Sequence, residues 1–280
     1  MLIFKEKLTK MYRFNGVSPI EAFLISVGER TEADSYNSIL NQSIPVNRIS
    51  VVRNIRGIHN ALNAVNKKVT SEFYVRVDAD MVLDRDCVEV LYGRIKKDTN
   101  LCRVQGLLRD PFLGRIWGIS IFRSCYTKYY HYSGNIGQDR EFDQAMQAKG
   151  YRLEKYKKLL GVHHPDYTFK EIACKFIHEG KKIAFYRNKG RLDSDMSQLI
   201  KLAGKGSIDA FFAIFFIGIG LVQPGAKDKD FCLCNELGLS REKILESSGI
   251  VELSSRKEIL RAANAVAKKC SKIFYLNNKG

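Results

Sequence analysis

The sequence has no apolar run long enough to cross a membrane and no recognisable export signal. Its longest apolar run, 210–222, has 13 residues, whereas a membrane-spanning helix needs about 20. The N-terminus, Met1–Lys7, lacks the apolar core of a signal peptide. These absences favour a cytoplasmic protein. The run 210–222 has two interpretations: a buried helix, or an interfacial helix with peripheral contact at the inner face of the membrane.

The cysteines do not form the pattern of a disulfide framework. There are seven of them, an odd number, and their spacing is irregular. Cys232 and Cys234 have no second Cys or His pair at the spacing of a zinc site. The sequence therefore favours a reducing compartment and does not favour structural zinc.

Acidic residues are too few to balance the basic ones. The chain has 46 Lys and Arg against 30 Asp and Glu, which gives a net charge of +16 at pH 7. Such a balance favours partners that carry phosphate. A basic nucleic-acid-binding protein is one alternative, because Tyr and Lys alternate in 126–132 and basic residues cluster in 155–158, but no recognition motif is present.

Two carboxylates follow directly after an apolar segment. Tyr74–Val77 has the composition of a buried strand, and Asp78 and Asp80 fall at its carboxyl end, where α/β sheets bind ligands. Proteins hold Mg²⁺ or Mn²⁺ with one or two carboxylates plus the phosphates of a substrate. The pair therefore predicts a site for a metal-bound diphosphate. The alternative is an ordinary surface turn rich in Asp.

Hydrophobic periodicity predicts two strand-helix units before this pair, and hence a parallel, doubly wound sheet. The length of 280 residues and the 45% hydrophobic content suit one large α/β domain with a smaller appendage. Strands are predicted at 22–27, 49–52, 74–77, 102–108 and 116–122, and helices at 33–41, 58–66, 86–97, 138–149 and 168–180, with a polar stretch before the last helix.

From 22 to 165, the ordered set of features resembles the GT-A glycosyltransferases of the family-2 type. The resemblance depends on Gly57–Asn63 before the Asp-x-Asp strand, on the helix start Gly137–Phe142, on Gly150-Tyr151 and on a histidine after them. It implies an α/β, GT-A (Rossmann-like), mostly parallel sheet flanked by helices. It also implies transfer of a sugar, with inversion, from a nucleoside-diphosphate sugar to a hydroxyl of a saccharide or a lipid-linked glycan.

The resemblance also implies roles for individual residues. Asp80 and either His163 or His164 would hold Mn²⁺ or Mg²⁺, and Asp78 would contact the nucleotide sugar. Asp139 stands where the family has its catalytic base, which accepts the proton of the acceptor hydroxyl. From the residues alone, Asp139 is equally an acid that favours the N-terminus of a helix.

Two positions differ from the family pattern. Gln138 replaces an acid before the base, and Arg53 follows the second strand where the family has acidic residues that help to hold the nucleotide base. Arg53 is interpreted as a contact to a phosphate or to an acid group of the sugar. Glu29, just after the first strand, lies near the position at which the family contacts the nucleoside.

A haloacid-dehalogenase-like phosphatase is a further alternative, since Asp78-Ala-Asp80-Met-Val82 fits its Asp-x-Asp-x-Val pattern, with Asp78 as nucleophile. Asp139 and Asp143 imitate the distal carboxylates of that family. In those enzymes, however, the Asp pair follows the first strand of the core, and here two strand-helix units precede it.

The predicted domain organisation has two parts. Residues 1–200 form the catalytic domain, with a nucleotide-sugar half at about 21–100 and an acceptor half at about 101–200. Residues 201–280 form a C-terminal helical extension, in which Ser255 and Glu258 have the spacing of a capping box.

Overall fold

The computed structural model describes residues 19–163, 167–222, 240–248, 250 and 255–277. Met1–Lys7, His164, Cys232 and Cys234, on which sequence predictions were made, lie outside these residues. The chain divides into two compact units, the first of residues 1–110 and 115–165, and the second of residues 111–114 and 166–280. Residues 167–200, which the sequence prediction assigned to the catalytic domain, belong to the second unit.

The first unit is a seven-stranded sheet flanked by helices. Its elements are β1 (Ile20–Ser26), α1 (Glu32–Leu40), β2 (Arg48–Arg53), α2 (Ile58–Lys68), β3 (Phe73–Asp78), β4 (Met81–Leu83), α3 (Cys87–Ile95), β5 (Leu101–Asp110), β6 (Gly114–Arg123), α4 (Ser124–Thr127), α5 (Gln138–Ala148) and β7 (Arg152–His163). The predicted α/β class and the two strand-helix units before Asp78 are confirmed.

The sheet is mixed, with the order β2-β1-β3-β6-β5-β7-β4. β1 pairs in parallel with both β2 and β3, and β5 pairs in parallel with β7. β6 runs antiparallel to β3, and β4 runs antiparallel to β7. All of β1 is buried, as expected for a parallel strand covered on both faces. The parallel strands therefore bring their carboxyl ends to one edge of the sheet.

β7 differs from the sequence prediction, which treated this segment as a polar stretch. Its charged residues are interspersed with Leu and Tyr, and it runs from Arg152 to His163 beside β5. The pairing with β5 is irregular: Gly106 lies opposite Tyr156, and the next residue, Leu107, lies opposite Leu159. This irregularity sets the register of the last residues of β7, up to His163.

The second unit is helical. Its helices are α6 (Phe169–Phe185), α7 (Lys189–Ala203), α8 (Ile208–Val222), α9 (Arg241–Ser247) and α10 (Arg256–Asn277). α8 contains the apolar run, and Phe211, Phe212 and Phe216 are fully buried in the core of this unit. The structure thus matches the interpretation of the run as a buried helix. Among the described residues, no helix is both long and apolar enough to span a membrane.

Two glycines let α6 and α8 approach each other closely. A Cβ atom on Gly220 would lie 2.2 Å from the carbonyl oxygen of Ile177, and one on Gly180 would lie 2.3 Å from that of Ile217. Real side chains are not found at such distances. The crossing of these two helices therefore requires glycine at both positions.

Candidate active site

The turn between Asp78 and Asp80 is anchored through the residue between them. The backbone N–H of Ala79 donates to the carbonyl of Ile25 at 2.9 Å. The carbonyl of Ala79 accepts hydrogen bonds from the hydroxyls of Thr31, at 2.7 Å, and Ser35, at 2.8 Å. With its backbone held by β1 and the start of α1, this turn presents both aspartates from a fixed position at the end of β3.

His163 lies beside Asp80 because β4 and β7 pair. Met81, which follows Asp80, is the register partner of His163, the last residue of β7. Nε2 of His163 lies 3.4 Å from Oδ2 of Asp80, and both side chains are mostly shielded from solvent. Of the two histidines predicted as metal ligands, His163 is therefore placed at the Asp-x-Asp turn.

Asp110 holds the other side of the His163 ring. Nδ1 of His163 lies 2.9 Å from Oδ2 of Asp110, whose side chain is 0% exposed. A carboxylate can only accept, so the proton of a neutral imidazole sits on Nδ1 and the lone pair of Nε2 faces the Asp80 side. Sequence reasoning missed Asp110, which ends β5 and lies two residues beyond the strand predicted at 102–108.

This arrangement fits a divalent cation. A carboxylate oxygen and an imidazole nitrogen are suitable ligands for Mn²⁺, and metal-binding histidines characteristically donate their other ring N–H to a carboxylate. Within the described ranges, no three His, Cys, Asp or Glu side chains converge as a metal-binding group. The protein would thus supply Asp80 and His163, and phosphate oxygens and water would complete the shell.

Asp139 is connected to the strand that carries the aspartate pair. It lies in the first turn of α5, and its side chain is 67% exposed. Its Oδ1 lies 3.5 Å from Nη2 of Arg76, which precedes Asp78 by two residues in β3. The predicted base and the predicted donor-binding aspartate are therefore connected through Arg76.

Arg76 is itself tightly held. Its Nη1 donates to the hydroxyl of Tyr132 at 2.7 Å, and its guanidinium lies 4.3 Å from the centre of the Phe122 ring. The backbone of Tyr132 is bound by the side chain of Asn63, with one hydrogen bond of 2.8 Å and one of 3.1 Å. Sequence reasoning missed Arg76. The signal that could have identified it is the presence of one cationic residue inside an otherwise apolar strand. Asn63 belongs to the segment 57–63 that contributed to the family resemblance.

Glu29 and Arg53 both have protein partners. Oε2 of Glu29 accepts hydrogen bonds from the Ser26 hydroxyl at 2.9 Å and from the Val27 N–H at 2.7 Å, which closes the turn after β1. Arg53 forms a two-pronged ion pair with Glu32 at the start of α1, and this hydrogen bonding lowers the pKa of Glu32. Contact of Glu29 and Arg53 with a substrate stays a prediction.

Comparison with protein families agrees with this geometry. Residues 33–160 match the model described as glycosyl transferase family 2. This segment is similar to family-2 glycosyltransferase domains. It contains Asp78, Asp80, Asp110 and Asp139, and it ends three residues before His163. The resemblance inferred from the sequence is confirmed.

Comparison with solved structures found distant similarities. The mannosyltransferase PcManGT of Pyrobaculum calidifontis, in complex with GDP-Man and Mn²⁺, is 13% identical, with a TM-score of 0.49, covering 94% of this chain and 93% of its own. Glucosyl-3-phosphoglycerate synthase of Mycobacterium tuberculosis is 12% identical, with a TM-score of 0.44 and coverages of 62% and 84%. TarS 1–349 of S. aureus is 11% identical, with a TM-score of 0.38 and coverages of 79% and 92%. Comparison with curated protein sequences gave no match.

Proposed function

We propose that the protein is a metal-dependent, inverting glycosyltransferase. It would move a sugar from a nucleoside-diphosphate sugar to a hydroxyl group of a saccharide or a lipid-linked acceptor. One observation carries the proposal: His163, held by Asp110, faces Asp80 at the end of the strand whose Arg76 contacts Asp139. Candidate metal ligands and a candidate base are thereby attached to one strand end.

On the donor side, Asp80 and His163 would hold Mn²⁺ or Mg²⁺, and Asp78 would contact the nucleotide sugar. When bound, such a cation stabilises the negative charge of a departing nucleoside diphosphate. Arg53 would contact a phosphate or an acid group of the donor only if its ion pair with Glu32 is shared or opened. Glu29 would act near the nucleoside while closing the turn after β1.

On the acceptor side, Asp139 would accept the proton of the acceptor hydroxyl as that oxygen attacks the anomeric carbon. The new carbon–oxygen bond forms on the face of the anomeric carbon opposite its bond to the diphosphate. That bond breaks, its electron pair leaves with the diphosphate, and the configuration inverts. Arg76 would keep the Asp139 carboxylate beside β3. The exposed position of Asp139 leaves room for an acceptor.

The described contacts do not support the phosphatase alternative. A phosphatase core would use Asp139 and Asp143 together, whereas here Asp143 pairs with Arg103 and Asp139 with Arg76. Because most of the apolar side chains of 210–222 are buried within the helical unit, the proposal includes no membrane contact through this run.

Nucleotide binding tests the proposal. Melting temperatures would be measured with UDP, GDP, CDP and dTDP, each with and without Mn²⁺, for the wild type and for Asp80→Asn. Asp84→Asn, an exposed aspartate four residues further along, is the control. A ligand that binds only the folded state raises the melting temperature. We expect one nucleotide to do so with Mn²⁺, in the wild type and control but not in Asp80→Asn. If no nucleotide raises it, the proposal fails.

A further inference from the structure

A cavity with a volume of about 480 Å³, lined mainly by charged and amide residues, lies beside α5, between that helix and the strands β5 and β7. Three of its seven lining residues are cations, namely Arg103, Arg140 and Lys155, and one, Asp143, is an anion. If Asp143 neutralises one cation, an excess of two positive charges remains. The predicted metal ligands are not among the residues that line it.

Arg103 is the most buried of these cations, with 3% of its side chain exposed. Its Nη2 donates to Asp143 at 2.8 Å. Within the part of the chain that the structure describes, its Nε has no hydrogen-bond partner. Buried donors are almost always satisfied, so this N–H is available to an acceptor atom, and Arg103 lines the cavity.

The remaining wall has the composition of an anion site. Lys155 lies with Nζ 5.5 Å from the centre of the Trp117 ring, which limits the positions of this long side chain. Gln144 and Gln147 add amide groups on the same face of α5 as Arg140. Guanidinium, ammonium and amide donors around one space suit the oxygens of a phosphate or a carboxylate.

The cavity is close to the proposed base. Arg140 follows Asp139 in the chain, and Asp143 lies one helical turn further along α5. Burial is the largest cause of the raised pKa of Asp143; Arg103 opposes it, and the charge of Asp139 adds to it. Asp139 and the cavity wall are therefore within electrostatic reach of each other.

We propose that this cavity is the anion subsite of the acceptor. It would bind a phosphate or carboxylate group of the molecule whose hydroxyl reaches Asp139, so the acceptor would be acidic. This inference rests on the proposed function for the identity of the ligand as an acceptor. The anion-binding part of it depends only on the cavity.

Calorimetric titration in metal-free buffer tests the subsite. The probes are inorganic phosphate, glycerol 3-phosphate, lactate and glycerol. We expect the wild type to bind inorganic phosphate and at least one of glycerol 3-phosphate and lactate, but not glycerol. The tighter-binding of the two organic acids identifies the acid group as a phosphate or a carboxylate. Arg140→Gln and Lys155→Gln should each weaken binding about tenfold, because each removes a charge-assisted hydrogen bond. Lys149→Gln and Lys157→Gln are the controls, since both lysines are exposed and neither lines the cavity.

The outcomes separate this inference from the proposed function. If no acidic probe binds, or if the cavity variants bind as well as the controls do, the subsite is overturned, whatever the nucleotides do. Nucleotide and Mn²⁺ binding is then measured on the same samples. If the acidic probes bind as expected but no nucleotide does, the acceptor role is overturned together with the transferase proposal.

Discussion

The imidazole of His163 lies against Asp110, with Nδ1 2.9 Å from a carboxylate oxygen that is closed to solvent. The contact joins the ends of two neighbouring parallel strands, β5 and β7. It orients Nε2 towards Asp80 and sets the tautomer that a metal ligand needs. If His163 is a metal ligand as proposed, Asp110 is its positioning residue and does not itself touch the cation.

Removing this contact is expected to weaken metal binding. Asp110→Ala should lower the affinity for Mn²⁺ in the presence of the nucleotide about 10- to 100-fold, because the ring loses its orientation. Asp110→Asn should lose less, since the amide oxygen can still accept from Nδ1. Electron paramagnetic resonance of free Mn²⁺ measures the affinity directly. Equal affinities in Asp110→Ala and the wild type would contradict the positioning role.

Substitutions of two acidic residues in the first turn of α5 test the role of Asp139 as the base. Asp139→Asn should lower the rate of transfer about 10²- to 10⁴-fold and leave nucleotide binding unchanged. Glu141→Gln removes a carboxylate with the same favourable position at the N-terminus of α5, so it loses a similar helix-dipole stabilisation. Glu141→Gln should retain transfer. If the two variants have equal rates, Asp139 is only a helix-terminal acid.

Two glycine substitutions should change stability in opposite directions. Gly220→Ala should lower the free energy of unfolding by about 2 kcal/mol, because the methyl group would meet the backbone of α6. Gly93→Ala, within α3, has no atom within 4 Å of the added carbon and should raise it by about 0.5–1 kcal/mol. Urea unfolding followed by circular dichroism measures both. A stabilising Gly220→Ala would mean that the helices do not cross so closely.

Glu179 should make stability depend on pH at the acid end. It is mostly buried, where desolvation would raise its pKa, but Lys182 and Arg191 lower it to about 2. A carboxyl with a depressed pKa in the folded state contributes stability that is complete above its ordinary value of 4.5 and is lost as the pH falls towards 2.

Glu179→Gln should therefore lower the free energy of unfolding at pH 7 by about 3 kcal/mol, because two cations lose a buried partner. The difference from the wild type should shrink between pH 4.5 and pH 2. Urea unfolding at several pH values measures this difference, which cancels the contributions of the other carboxyl groups. A difference that stays constant over this range would show that Glu179 is not held ionised by its neighbours.

β1 and β3 could be predicted because they are largely buried on both faces. β1 and β3 have near-continuous apolar runs, which few other structures produce. β7 was missed because it carries five charged residues and most of it is only partly buried. Its place in the sheet comes from pairing with β5 and β4, which its own residues do not reveal.

The candidate site shows the same limit. Asp78, Asp80 and Asp139 could be proposed from the sequence because each lies in a recognisable local pattern. Asp110 and Arg76 also had local signals, but their importance depends on which side chain each meets. Those contacts depend on the strand order β3-β6-β5-β7-β4 and on the hydrogen bonds of Asn63 to the loop at Tyr132. Both are long-range features of the fold.

Because β7 pairs irregularly with β5, the register of its first residues and the register of its last residues are set separately. Where β5 advances by one residue, from Gly106 to Leu107, β7 advances by three. Side chains alternate between the two faces of a strand, so loss of one residue there would turn His163 to the opposite face and leave Lys155 where it is. The end of this strand that carries the proposed metal ligand and the end that lines the cavity are thus set separately, so under the proposed function the acceptor preference would change without moving His163.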